Sequence, residues 1–124
     1  MKKLIWKIAI PPKFEKVPER AGIYIISTNQ KEDMEYEVKF VGQAENLRVR
    51  VNEHWSKNEK NEELKAHIAE KYMMKFNYSE VDSRTDRDGM VLYLHKLYDP
   101  PFNTGNLPEA DIIKCTVPAV RKHL

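Results

Sequence analysis

FVGQAENLRVRVNEH, residues 40–54, changes its period part-way along. Residues 35–41 alternate apolar and polar, as a half-buried strand does. After Gly42 and the polar run QAEN, the apolar residues Leu47, Val51 and Trp55 recur at i, i+4 and i+8. That is one stripe of an amphipathic helix. A strand ending at Gly42 and a helix running to about Lys57 are therefore expected. Upstream, AGIYIIST, residues 21–28, follows a Pro-Glu-Arg turn and is rich in Ile and Tyr, so it pairs with residues 35–41 as a hairpin across the polar loop NQKED.

Working outward, Leu64, Ile68 and Tyr72 repeat the helical spacing after the polar SKNEKNEE. MMKFNYSEV, residues 73–81, returns to alternation. SRTDRDG then supplies a turn and acidic first-turn residues for a third helix bearing Met90, Val91, Leu94, Leu97 and Tyr98, which Pro100 and Pro101 stop. The N-terminal LIWKIAIPP reads as a short strand or arm cut by Pro11 and Pro12, and residues 112–117 offer one more short strand. The class is α+β: a small, mostly antiparallel sheet of about three strands flanked by three helices. One domain, 1–124, is expected, with a core of about 20–104, an N-terminal arm and a C-terminal tail.

Composition narrows the partners. A net charge of +2 and a pI near 8.6 give no overwhelming basic field, so nucleic-acid binding would have to come from a local patch. Cys115 is the single cysteine and cannot form an internal disulfide. No apolar run reaches the ~18 residues of a membrane span, and Lys7 interrupts the apolar N-terminal run, which does not suit a signal peptide. No membrane partner and a reducing cytoplasm are expected.

The chemistry-bearing residues fall in order along the chain: Gly22-Ile23-Tyr24, Phe40-Val41-Gly42, Asn46-Leu47-Arg48-Val49-Arg50 with His54, and Leu94, Tyr98, Pro100 and Asn103. Arg50 and His54, at i and i+4, share a helix face beside the Leu47 and Val51 stripe. A guanidinium there matches phosphate geometry in a fixed fork.

This ordered set resembles the GIY-YIG nuclease superfamily, which includes homing endonucleases, some restriction enzymes and the incision domain of bacterial excision repair. The match runs from about Gly22 to Asn103. The resemblance implies that Tyr24 acts near the attacking water as a general base or orienting group. It implies that Arg50 stabilises charge on the phosphoryl transition state, that His54 assists at the scissile phosphate, and that Asn103 braces the site. It implies too a divalent ion, Mg2+ or Mn2+, and hydrolysis of DNA phosphodiesters, with RNA as a partner left open.

Two positions depart from the family pattern. The metal-binding Glu is expected twelve residues before the Asn, and that position is Val91. Asp88 lies one helical turn away, with the wrong spacing for a direct replacement. Phe40 stands where the second motif has a tyrosine, and Tyr36, roughly 13 Å back along the strand, does not replace its hydroxyl.

Each residue also has a plain reading. Val91 lies in an apolar stripe and fits core packing; Tyr24 fits a half-buried strand tyrosine; Asn103 fits a turn cap. His67, His95 and His123 lack metal-ligand spacing and read as surface or helix-face residues, and Cys115 as a buried strand thiol. Lys57 and Lys60 are solvated loop charge or, with Arg48, track a phosphate backbone. Three functions follow as expectations: a metal-dependent endonuclease, impaired by loss of the Glu; a catalytically silent module binding nucleic acid or a protein; or a structural domain. Oligomeric state is left open.

Overall fold

A computed structural model describes residues 1–29, 35–70 and 73–122. The elements are β1 (Lys7–Ala9), β2 (Gly22–Asn29), β3 (Glu37–Ala44), α1 (Leu47–His54), α2 (Glu62–Ala69), β4 (Met73–Glu80) and α3 (Arg84–Tyr98). The α+β class is as expected. The sheet has four strands in the order β1-β4-β2-β3, every pair antiparallel, where the sequence led to about three. The extra strand is the N-terminal arm: Lys7, Ile8 and Ala9 pair with Tyr78, Asn77 and Phe76.

β2, with a strand on each side, is buried along its whole length. Its alternation divides the core. Tyr24 and Ile26 join Phe14, Phe40, Phe76 and Tyr78 beneath α1 and α2, while Ile23 and Ile25 join Val41, Met90, Val91 and Leu94 beneath α3. A bulge shifts the β2–β3 register: Ile26 faces Phe40, yet Ser27 faces Val38, leaving Lys39 as the additional residue. The phase change sends Phe40 to one core and both Val38 and Val41 to the other.

The helices start on side-chain caps. Asn46 accepts from the Val49 amide at 3.1 Å, Asn61 from Leu64 at 3.1 Å and Ser83 from Asp86 at 3.3 Å. α3 ends where Asp99 enters the left-handed region (φ 46°) before Pro100, as the two prolines require.

Several boundaries differ from expectation. β3 continues past Gly42 to Ala44, since Gly22 and Ile23 still pair with Ala44 and Gln43. α1 stops at His54 rather than near Lys57. Leu64 and Ile68 lie on α2 as expected, Leu97 is exposed, and Tyr72, His123 and most of the NQKED loop lie outside the described residues. Residues 112–117 form no strand: Cys115 makes one isolated bridge to Lys2, and Thr116 receives Leu4 N–H on its hydroxyl at 2.8 Å and Trp6 Nε1–H on its carbonyl at 2.7 Å. The tail thus fastens to the N-terminal arm, a partner more than a hundred residues away that local periodicity does not reveal. His67 is likewise buried rather than on the surface, with Nε2 3.2 Å from Thr28 Oγ1. Among the described residues, no helix is long and apolar enough to cross a membrane.

Candidate functional site

Tyr24 sits mid-strand on β2, directly opposite Gly42. Its ring crosses Gly42 so closely that a Cβ there would lie 2.5 Å from the Tyr24 hydroxyl and 2.6 Å from Cζ. The glycine is needed for this approach rather than for a turn. Phe40 stacks beside the ring with centroids 6.1 Å apart, and Phe76 stacks at 5.1 Å. Phe40 therefore fills, without a hydroxyl, an aromatic position at the heart of the site.

α1 brings its polar pair to this face. His54 Nε2 is 2.7 Å from the Tyr24 hydroxyl, and the ring also meets Phe40 edge-on at 5.1 Å. The Arg50 guanidinium interacts with the same hydroxyl and lies 3.3 Å from Glu53. Tyr24, Arg50 and His54 thus converge as the sequence anticipates. Their accessibility differs sharply: Tyr24 and His54 are each 1 % exposed, whereas the Arg50 side chain is 34 % exposed. Among these three, Arg50 is the group that offers solvent a charged surface.

Behind His54 stands a residue that sequence reasoning missed. Glu59 Oε2 lies 2.6 Å from His54 Nδ1, both side chains are buried, and neither atom has another partner. Burial, and secondarily the Arg50 charge, lower the His54 pKa to about 4 against the opposing pull of Glu59. The ring is accordingly neutral near pH 7, with Nδ1 facing the Glu59 carboxylate and Nε2 facing the Tyr24 hydroxyl. Burial also raises the Tyr24 pKa well above the ordinary phenol value despite Arg50, so the phenol keeps its proton. The other Glu59 oxygen accepts from Asn61 N–H at 2.9 Å. Nothing in the run SKNEKNEE distinguishes Glu59 from its solvated neighbours; only tertiary folding does.

Asn103 grips β3 from the far side. Its Oδ1 accepts from Val41 N–H at 2.9 Å and its Nδ2 donates to Val41 O at 2.7 Å, while Phe102 N–H donates to Lys39 O at 3.0 Å. Asn61 Nδ2 donates to Phe102 O at 2.6 Å, joining the α1–α2 loop to this segment.

Val91 is placed elsewhere. It packs in the α3 core, on the opposite sheet face from Tyr24, and reaches the β3 edge at a cleft of about 410 Å³ that Gly42 and Asn103 also line. Asp88, the nearest acid, is occupied: Gln43 Nε2 donates to it at 2.6 Å and Arg84 lies 3.9 Å away. Among the described residues, no three His, Cys, Asp or Glu side chains gather as a metal site would require. The donor set does not fit the divalent ion that the resemblance implies.

The remaining basic candidates divide. Arg48 is turned back onto its own domain, donating to Val17 O at 2.7 Å and Glu15 O at 3.1 Å and meeting Glu19 at 3.4 Å. Lys57 and Lys60 are exposed in the loop after α1. No protein-family model matches the chain, and no curated protein matches it.

Proposed function

We propose that this chain is a GIY-YIG-like module that holds a nucleic-acid phosphate through Arg50 and does not hydrolyse it by the divalent-metal route. The observation that carries the reading is Val91, 5 % exposed in an aliphatic cluster where the family pattern has its metal-binding carboxylate. A metal contributes several kcal/mol to phosphoryl transfer, so losing it slows hydrolysis by roughly a thousandfold or more. The Arg50 side chain is 34 % exposed, and Lys57 and Lys60 are exposed in the loop that follows the same helix, cationic groups of the kind that contact a phosphate backbone. DNA is the proposed polyanion and the cytoplasm the proposed compartment, in keeping with the single buried thiol of Cys115.

The test pairs binding with nicking. A labelled DNA duplex, with an RNA duplex beside it, is titrated in EDTA at several salt concentrations, and plasmid nicking is followed in Mg2+ or Mn2+. Salt-sensitive binding that Arg50→Ala weakens, with a shallower salt slope and no nicking, is the expected result. Nicking that appears only in Val91→Glu also supports it, by marking a site emptied of its ligand. Nicking by the unaltered chain, abolished by Arg50→Ala, would overturn the silent reading in favour of a working endonuclease. That second reading is favoured by the assembly of Tyr24, Arg50 and His54 in one cluster.

A further inference from the structure

Glu59 touches both halves of the site. One oxygen meets His54 Nδ1 at 2.6 Å, and His54 Nε2 meets the Tyr24 hydroxyl, which in turn faces Arg50. The other oxygen receives Asn61 N–H, and the Asn61 side chain reaches Phe102 O, next to Asn103 on the β3 edge. Tyr24, His54 and Glu59 are all buried, so this chain of contacts runs through the protein and surfaces at Arg50.

We infer that Glu59 is a positioning residue: its carboxylate fixes His54 as the Nδ1–H tautomer and, through the Tyr24 hydroxyl, orients the Arg50 guanidinium. A carboxylate only accepts, so the imidazole proton belongs on Nδ1 and Nε2 is left as an acceptor. Tyr24 must then donate to Nε2, which turns an oxygen lone pair toward Arg50, a residue that only donates. Each contact dictates the next. With Nη1 donating to Glu53 at 3.3 Å and the Tyr24 hydroxyl as its second partner, Arg50 presents its remaining N–H groups outward in one orientation, the condition for gripping a tetrahedral anion in a fixed fork. That last consequence rests on the proposed reading of Arg50 as the phosphate contact; the tautomer and the Arg50 orientation do not.

Glu59→Gln tests the sequence of donors. With Asn61 N–H still holding the amide oxygen, the Gln NH2 faces His54 and demands an acceptor, which moves the imidazole proton to Nε2. Tyr24 must then accept from His54 and turn its own proton toward Arg50, displacing the guanidinium. The readouts are the long-range 1H–15N spectrum of the His54 ring and the Nε–Hε resonance of Arg50, with binding of the DNA duplex in EDTA measured alongside. The expected result is the Nδ1–H tautomer in the unaltered chain and the Nε2–H tautomer in Glu59→Gln. The Arg50 resonance should shift and duplex binding weaken about tenfold, the loss of roughly one charge-assisted hydrogen bond. An Nε2–H tautomer in the unaltered chain overturns the inference and needs no variant to fold. So does retention of Nδ1–H, or an unmoved Arg50 resonance, in Glu59→Gln. A chain that binds no duplex at all defeats the proposed function instead, while the ring spectra still decide the role of Glu59.

Discussion

The two faces of the sheet solve the problem of polar groups in a core differently. Beneath α1 and α2 the core is aromatic, with Phe14, Tyr24, Phe40, Phe76 and Tyr78, and it holds His54 and Glu59 out of water by giving each a partner. Beneath α3 it is mostly aliphatic, built on Ile23, Ile25, Val38, Val41, Val91 and Leu94, with Tyr98 in the same cluster. Its nearest acid, Asp88, stays at the margin with Gln43 and Arg84. The α3 side also buries a charge, Arg87, where Gln43 Oε1, Val81 O and Asp82 O accept from its guanidinium at 3.1, 3.1 and 2.7 Å, so buried charge persists on either face where a network satisfies it. Val91 belongs to its surroundings: it packs among apolar side chains one helical turn after Arg87, whose buried guanidinium is already engaged by Gln43, Val81 O and Asp82 O.

The contrast can be broken most forcefully from the aromatic side. Phe76 is fully buried against Phe14, Tyr24, Trp55 and Tyr78. Phe76→Ala should cost about 3–5 kcal/mol in urea unfolding. It should also loosen the Tyr24–His54 contact, seen as a change in the near-ultraviolet circular dichroism of the native state.

Acid should separate the faces next. Burial holds the folded-state pKa of His54 below the ordinary ~6.5, so the unfolded chain binds its proton first. The resulting stability is fully present above about pH 6.5 and is lost as pH falls toward about 4. The loss should be no more than about 3 kcal/mol. Unfolding midpoints measured across that window should flatten in His54→Phe, whereas substitutions under α3 should leave their slope unchanged.

Asn103→Ala removes two hydrogen bonds from Val41 at a site that water can reach, and should lower stability by about 1–2 kcal/mol in the same urea titration. Val91→Ala removes about two methylene equivalents from the α3 core and should cost about 1.5 kcal/mol, with no change in duplex binding. A marked loss of binding in Val91→Ala would argue that the two faces are coupled after all.

How much of this was legible depended on how far each signal reaches along the chain. The period change at Gly42, the Leu47–Val51 stripe and the proline stop after Tyr98 are local patterns, and the elements formed there. Tyr24, Arg50 and His54 were found through their motif company, and the structure draws them together. The fourth strand was ambiguous because three residues ahead of two prolines cannot declare a partner. The burial of Glu59 and His67 is hidden from the sequence for another reason. Glu59 sits in a strongly polar run and His67 on a helix whose period shows no partner, and only the packing of α2 against β2 and the fold-back of the α1–α2 loop bury them. The tail reads as a strand in sequence, yet its apolar residues serve side-chain packing and isolated bridges rather than a ladder.

The clamp of Asn103 on Val41 has a consequence for the protein in a crowded solution. β3 is an outer strand, and an outer strand presents amides and carbonyls that another chain can adopt as a template. A primary amide that both receives from and donates to one residue imitates a neighbouring strand one residue long. With Phe102 closing Lys39 O beside it, the middle of that rim is already taken. The opposite rim, β1, is three residues long and carries Lys7. The asparagine that steadies the site thus also acts as a gatekeeper against fibrous self-association, so its replacement should be felt in solubility as well as in stability.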